Sequence, residues 1–202
     1  MRTWSWVLVV CSSVIVVSCQ AKQPEPAAPA AAQPPYTTSA TVKDLMLHII
    51  DPAGDMVWDS VSTIIDKGGI RETVPKTDED WMKVRNGVIT LIEGSNLLMI
   101  PGRAMARPGE KSVAPGVELE PAEMEELVKK DIPGWQQRAR DLHDISVQVL
   151  KVVDAKDAQK LFDMGEDIDK ACENCHRAYW YPNEVIPPLP SAAPAPAPAP
   201  AK

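Results

Sequence analysis

Two cysteines and a histidine stand close together near the C-terminal end of the chain, in the order Cys172-Glu-Asn-Cys175-His176. This spacing is typical of a covalent haem attachment site, because two thiols reach the vinyl groups of the porphyrin and the imidazole reaches the iron. On a helix the three side chains fall within an arc of about 100°, so all of them face one flat object lying against the helix. The motif therefore predicts one covalently bound haem held by Cys172, Cys175 and His176.

Two other uses of the cysteine pair are weaker interpretations. A thioredoxin-like Cys-x-x-Cys lies at a helix N-terminus that follows a strand, where the helix dipole lowers a thiol pKa. The present pair lies well inside a predicted helix. A structural zinc site needs four ligands, and the remaining histidines, His48 and His143, are not spaced as a second ligand pair. Haem attachment is therefore the preferred interpretation.

The start of the chain has the layout of an export signal. Arg2 precedes an apolar run through Val17, and Ser18 precedes Cys19; the run is too short for a stable membrane span. Its end resembles a bacterial lipobox, in which the cysteine becomes a lipid-carrying N-terminus, although an ordinary secretory signal with a chance cysteine is the alternative. We expect export, removal of residues 1–18, and lipidation of Cys19 at the periplasmic face of a membrane or at the cell surface.

Segments rich in Pro and Ala flank the central region of the chain. Residues 19–40 and 183–202 bury too little apolar surface to fold, and we expect them to form a tether and a disordered tail. Residues 41–182 are long enough for one core and one domain. The chain has 21 basic and 28 acidic residues, a balance that argues against binding of nucleic acid and favours partners that are basic or indifferent to charge.

Hydrophobic periodicity predicts four helices in the central region and no strand, so the expected fold is an all-α antiparallel four-helix bundle. The first helix restarts at Asp51-Pro52 and keeps Met56, Val57 and Ile64 on its buried face. The third is kinked or broken at Pro133-Gly134. The predicted helices run over 41–65, from Thr77 or Asp78 to Met99, from about Pro121 to beyond Val153, and from about Asp157 to Pro182. The predicted buried face of the second helix consists of Val84, Val88, Leu91, Ile92, Ser95 and Leu98. The predicted buried face of the third helix consists of Trp135, Ala139, Leu142, Ser146, Val149 and Val153.

With its haem motif near the end of the last of four helices, the chain resembles class II c-type cytochromes, the family of cytochrome c′ and its low-spin relatives such as cytochrome c556. The resemblance covers residues 41–182, and its specific part is the Cys172-to-His176 motif followed by Arg177, with a Leu45-Met46 pair in the first helix. It implies a four-helix bundle that holds haem c between its helices, with His176 as the proximal iron ligand.

Members of this family differ in whether a protein side chain binds the second face of the haem iron. In low-spin members a methionine four residues after an arginine is the sixth ligand, which implies this role for Met46. Here the basic residue is Lys43, three positions earlier, so the haem propionate contact is expected at Lys43 or Arg177. In cytochrome c′ itself the iron is five-coordinate. His48 is a rival ligand, but it lies about 110° from the centre of the predicted buried face.

These features predict a membrane-anchored electron carrier that exchanges one electron with redox proteins. The expected protein is not an enzyme, since no distal acid–base residue for peroxidase chemistry is identifiable. The alternative is a five-coordinate haem protein that binds NO or CO. The resemblance also implies that a homodimer can form through the first two helices.

Overall fold

The computed structural model of the protein describes residues 36–185. The predicted signal segment with Cys19, and most of the predicted tether and tail, lie outside the described residues. Within the described part no helix has both the length and the apolarity needed to cross a membrane.

The first helical segment contains a change of helix type. It consists of α1 (Val42–Leu45), a π-helical turn (Met46–Ile50) and α2 (Asp51–Trp58). Because a π turn holds one residue more than an α turn, it rotates every later residue by about 100° around the axis. This rotation makes one prediction wrong: Met56 is 43% exposed, whereas Ile50, Ala53 and Val57 are buried.

A β-hairpin follows α2 where the sequence predicted more helix. Strand β1 (Ser62–Asp66) pairs antiparallel with β2 (Gly69–Thr73). Gly69 has a φ of +111°, which glycine adopts readily, and the Gly68 N–H donates to Asp66 Oδ1 at 2.7 Å. The prediction that the region contains no strand is therefore wrong, and so is the inward-facing Ile64, which is 50% exposed; the helical part of the prediction is confirmed. The described chain is mostly helical with a two-stranded sheet.

The other predicted helices are present, with one break at a different residue. Helix α3 (Asp78–Leu98) begins after its N-cap Thr77. The predicted third helix is two helices, α4 (Pro121–Lys130) and α5 (Ile132–Asp154), and α6 (Ala158–Tyr179) begins after its N-cap Asp157. The break lies at Asp131, whose side chain accepts a hydrogen bond from the Gly134 N–H at 3.0 Å. Pro133 then falls in the first turn of α5, where proline is tolerated.

The core lies where the longer helices meet: α3 packs against α5, α5 against α6, and α2 against both α3 and α6. Trp135 Nε1 on α5 donates to the Leu98 carbonyl on α3 at 2.9 Å. Every predicted buried residue of α5 is buried, and so are those of α3 except Ile92, which is only partly buried. The residues confirmed as buried are Val84, Val88, Leu91, Ser95, Leu98, Trp135, Ala139, Leu142, Ser146, Val149 and Val153.

Two buried glycines let α3 approach the first helical segment closely. A Cβ atom built on Gly87 would lie 3.0 Å from the Met56 Cβ and 3.1 Å from the Ala53 carbonyl oxygen. A Cβ on Gly94 would lie 3.0 Å from Cγ1 of Ile50, at the end of the π turn. These contacts leave no room for a methyl group, so the two glycines set how far α3 stands from the π turn and α2.

We expect Gly87→Ala to lower the free energy of unfolding by about 1–2 kcal/mol, because overpacking costs more than the helix propensity that alanine gains over glycine. The matched control is Asn86→Ala on the exposed side of the same turn, which should be neutral or stabilising by less than about 0.7 kcal/mol. Urea titrations followed by circular dichroism measure both. Equal stabilisation by the two substitutions would contradict the close approach.

Candidate functional site

Helix α6 carries the Cys-x-x-Cys-His motif on a side that its neighbours partly cover. The helix buries Leu161, Met164, Ile168 and Ala171. Cys172, Cys175 and His176 follow within the next two turns and are partly buried. Both cysteines are free thiols. The continuous helix therefore presents two thiols and an imidazole on neighbouring positions, as the sequence predicted.

These three side chains line a cleft of about 230 Å³ together with Met46 from the first helical segment. Met46 begins the π turn, and single π turns occur frequently at functional sites. Apolar side chains from four helical elements form much of the remaining wall. They are Leu47, Ile50, Leu91, Leu98, Ala139, Leu142, Ile168, Ala171 and Trp180.

The other predicted site residues lie outside this cleft. Lys43 Nζ is 3.2 Å from Glu110 Oε1, and Arg177 Nε is 3.4 Å from Glu173 Oε2 on its own helix. His48 is exposed, and His143 Nδ1 is 2.8 Å from Asp144 Oδ1. Of the residues proposed from the sequence, the structure brings together Met46, Cys172, Cys175 and His176.

A cation that the sequence did not single out lines the cleft from α5. Arg138 Nε donates to the Asn174 carbonyl, between the two cysteines, at 3.1 Å. Its guanidinium carbon lies 5.4 Å from the centroid of the Tyr179 ring. One feature of the sequence could have identified Arg138 as a cleft residue. It stands next to Ala139, on the edge of the predicted buried face of α5. Arg138 is therefore better placed than Lys43 or Arg177 to meet an anionic group in the cleft.

Burial dominates the electrostatics of the two thiols. It raises the pKa of Cys172 to about 12, with further increases from the nearby carboxylates, Asp169 first. It also raises the pKa of Cys175 to about 11, and Arg138 opposes this shift. A redox-active Cys-x-x-Cys needs a lowered thiol pKa. The direction of the shifts therefore argues against a thioredoxin-like role.

The imidazole of His176 lies among aromatic rings and a carboxylate. The ring of Trp180 meets it edge-on at 5.0 Å between centroids, and that of Tyr181 lies at 5.7 Å. His176 Nδ1 is 3.5 Å from Glu173 Oε1. Metal-bound histidines usually present their second nitrogen to such an acceptor, so this environment suits a histidine that binds a metal through Nε2.

The residues of the cleft fit a haem group by their chemistry. Two thiols, one imidazole and one thioether share the cleft with an arginine and apolar walls. The volume is below the range of about 300–1,000 Å³ usual for ligand pockets, so the cleft in this structure would not enclose a whole tetrapyrrole. Within residues 36–185 no group of three or more His, Cys, Asp or Glu side chains converges on a metal position; haem needs only one or two protein ligands.

We expect the haem-free chain to react slowly with iodoacetamide at pH 8.5, because the raised pKa values leave little thiolate, which is the reactive form. Alkylation of the folded chain should be at least roughly tenfold slower than in urea, where thiol pKa values return to about 8.5. Mass spectrometry of Cys172→Ser and Cys175→Ser separates the two sites, and circular dichroism checks that each chain is folded. Equal rates with and without urea would contradict the burial of the thiols.

Comparison of the chain with protein-family models, with curated proteins and with solved structures finds no match. A function for the chain therefore has to be inferred from the side chains that the fold brings together in this cleft.

Proposed function

We propose that the protein is a c-type cytochrome that carries one electron between redox proteins. The observation that carries this proposal is the shared cleft: Met46 lies far from the Cys172-to-His176 motif in the sequence, yet lines the same cleft. Thioether and imidazole are a common axial pair for haem iron in electron carriers. We also propose that the first helical segment, α3, α5 and α6 form the four-helix bundle that the family resemblance implies.

Each residue of the cleft has a distinct role in this proposal. Cys172 and Cys175 would anchor the porphyrin through thioether links, His176 would bind one face of the iron and Met46 the other. When bound, haem supplies reversible one-electron exchange between ferric and ferrous iron. Arg138 would balance the negative charge of a propionate. Lys43 and Arg177, which the sequence predicted for this contact, do not line the cleft.

The apolar wall gives the cleft its second function, which is to exclude water. Leu91, Ile168 and Leu142 are almost completely buried and line the cleft beside the motif. A water-poor surrounding and a neutral thioether ligand both favour the reduced iron, which carries less charge. A carrier of this kind binds no substrate, so we propose no enzymatic activity.

The proposed location follows from the start of the chain, which lies outside the described residues. Export and lipidation at Cys19 would hold the domain at the periplasmic face of a membrane or at the cell surface. Both lie outside the inner membrane, where c-type haem is attached and redox proteins are partners. Within the described region the acidic residues outnumber the basic ones by 27 to 18, so a redox partner with a basic surface fits best.

The first test asks whether haem is attached at all. The full chain, exported from a bacterium that attaches c-type haem, should gain the mass of one tetrapyrrole, located by peptide mass spectrometry on residues 172–175. The double variant Cys172→Ala/Cys175→Ala should lose covalent haem. Cys11→Ala, a cysteine change in the predicted signal segment, should leave attachment unchanged. A wild-type chain without added mass would overturn the proposed function.

The second test identifies the sixth ligand. We expect a low-spin visible spectrum and a near-infrared charge-transfer band from sulfur to ferric iron in the wild-type protein, and a high-spin spectrum in Met46→Ala. The control is Met56→Ala, because Met56 is exposed on α2 and its loss should leave the spectrum unchanged. An unchanged spectrum in Met46→Ala would exclude this ligand. A high-spin wild type whose spectrum shifts with NO would instead support gas binding.

A further inference from the structure

The carboxylate of Glu173 joins the motif histidine to an aromatic side chain beyond the end of α6. Glu173 lies between the two cysteines and lines the same cleft. Tyr181 Oη donates to its Oε1 at 2.6 Å, and the same Oε1 lies 3.5 Å from His176 Nδ1. Its second oxygen is 3.4 Å from Arg177 Nε. One carboxylate is thus shared by a tyrosine, a histidine and an arginine.

The end of α6 explains how Tyr181 reaches back to Glu173. The N–H groups of Trp180 and Tyr181 both donate to the His176 carbonyl, at 2.7 and 3.0 Å. This closure turns the chain at the C-cap, and Pro182 follows where the helix has ended. Tyr181 is thereby returned over the last turns of the helix, and its hydroxyl meets Glu173. The backbone at His176 and the carboxylate beside its ring are fixed by the same turn.

We propose that Glu173, held by Tyr181, is the positioning residue for His176. The carboxylate would accept the Nδ1–H of the imidazole, which fixes the tautomer and leaves the Nε2 lone pair for the iron. A carboxylate on Nδ1 also makes the imidazole a stronger electron donor, which stabilises ferric over ferrous iron. This inference depends on the proposed function, because it needs an iron atom on Nε2.

A simple surface ion pair does not account for this arrangement. Arg177 is more than half exposed, so solvent screens its charge and the ion pair with Glu173 contributes little. The Tyr181 bond, in contrast, is short and charge-assisted, and hydrogen bonds of this type are about twice as strong as neutral ones. It holds the carboxylate at the side of the imidazole. The position of the Glu173 carboxylate is therefore set by Tyr181 and not by Arg177.

The test compares the reduction potentials of three full-length, haem-loaded proteins by spectroelectrochemical titration. Glu173→Gln keeps the shape of the side chain but removes its charge. Asp169→Asn is the matched control, since Asp169 is an α6 carboxylate that lines the same cleft without a contact to His176. We expect Glu173→Gln to favour ferrous iron at least tenfold, a rise of about 59 mV for one electron, and Asp169→Asn to shift the equilibrium less than threefold.

A second measurement tests the iron–histidine bond itself. In the ferrous Met46→Ala protein, whose sixth position is open, resonance Raman spectroscopy should show the iron–histidine stretch at lower frequency when Glu173→Gln is added. Addition of Asp169→Asn should leave the band in place. This readout does not depend on the net charge of the cleft, so it separates ligand strength from a general electrostatic effect.

The outcomes of these measurements distinguish a failure of the role of Glu173 from a failure of the proposed function. Equal potential shifts in the two variants, or an unmoved Raman band, would overturn the role of Glu173 while leaving the cytochrome intact. Covalent haem in all three proteins with no shift in Glu173→Gln would overturn it as well. A wild-type chain without haem would overturn the proposed function and this inference together.

Discussion

The geometry of a single helix constrains everything else in the candidate site. Cys172, Cys175 and His176 cover one sector of α6, so a group bound through all three must lie flat against this helix and needs a second wall opposite. The first helical segment supplies that wall. Trp58 Nε1 on α2 donates to the Gly165 carbonyl on α6 at 3.2 Å. On another side of α2, Gly87 lets α3 pack closely against it. The cleft therefore exists because α2 is held from two sides.

Local signals made much of this fold predictable from the sequence. The capping residues Thr77 and Asp157 give the starts of α3 and α6, and periodicity gives the buried face of α5 residue by residue. The π turn was missed because counting about 3.6 residues per turn has no place for an inserted residue. The hairpin was missed because Gly68-Gly69 ends a helix as readily as it turns two strands.

The candidate site was predictable only where its residues are close in the sequence or belong to the family resemblance. The Cys172-to-His176 motif is local, and Met46 came from the resemblance. Arg138 was missed because its neighbours in the cleft come from another helix, which no local pattern reveals. Lys43 was chosen for its position near Met46, but Glu110, from a distant loop, pairs with it. Ion pairs between residues that are distant in the sequence therefore determine which cation lines the cleft.

The charges around the cleft act against one another in the proposed cytochrome. Met46 is neutral and the walls are mostly apolar, and both features favour the less charged, ferrous iron. Asp51, Asp169 and Glu173 line the same cleft, with Arg138 as its cation among the described residues. Three carboxylates against one guanidinium would stabilise the additional positive charge of ferric iron, and Glu173, which lies beside His176, would contribute most. A carrier has to accept an electron and also release it, and this opposition keeps either form from being strongly preferred.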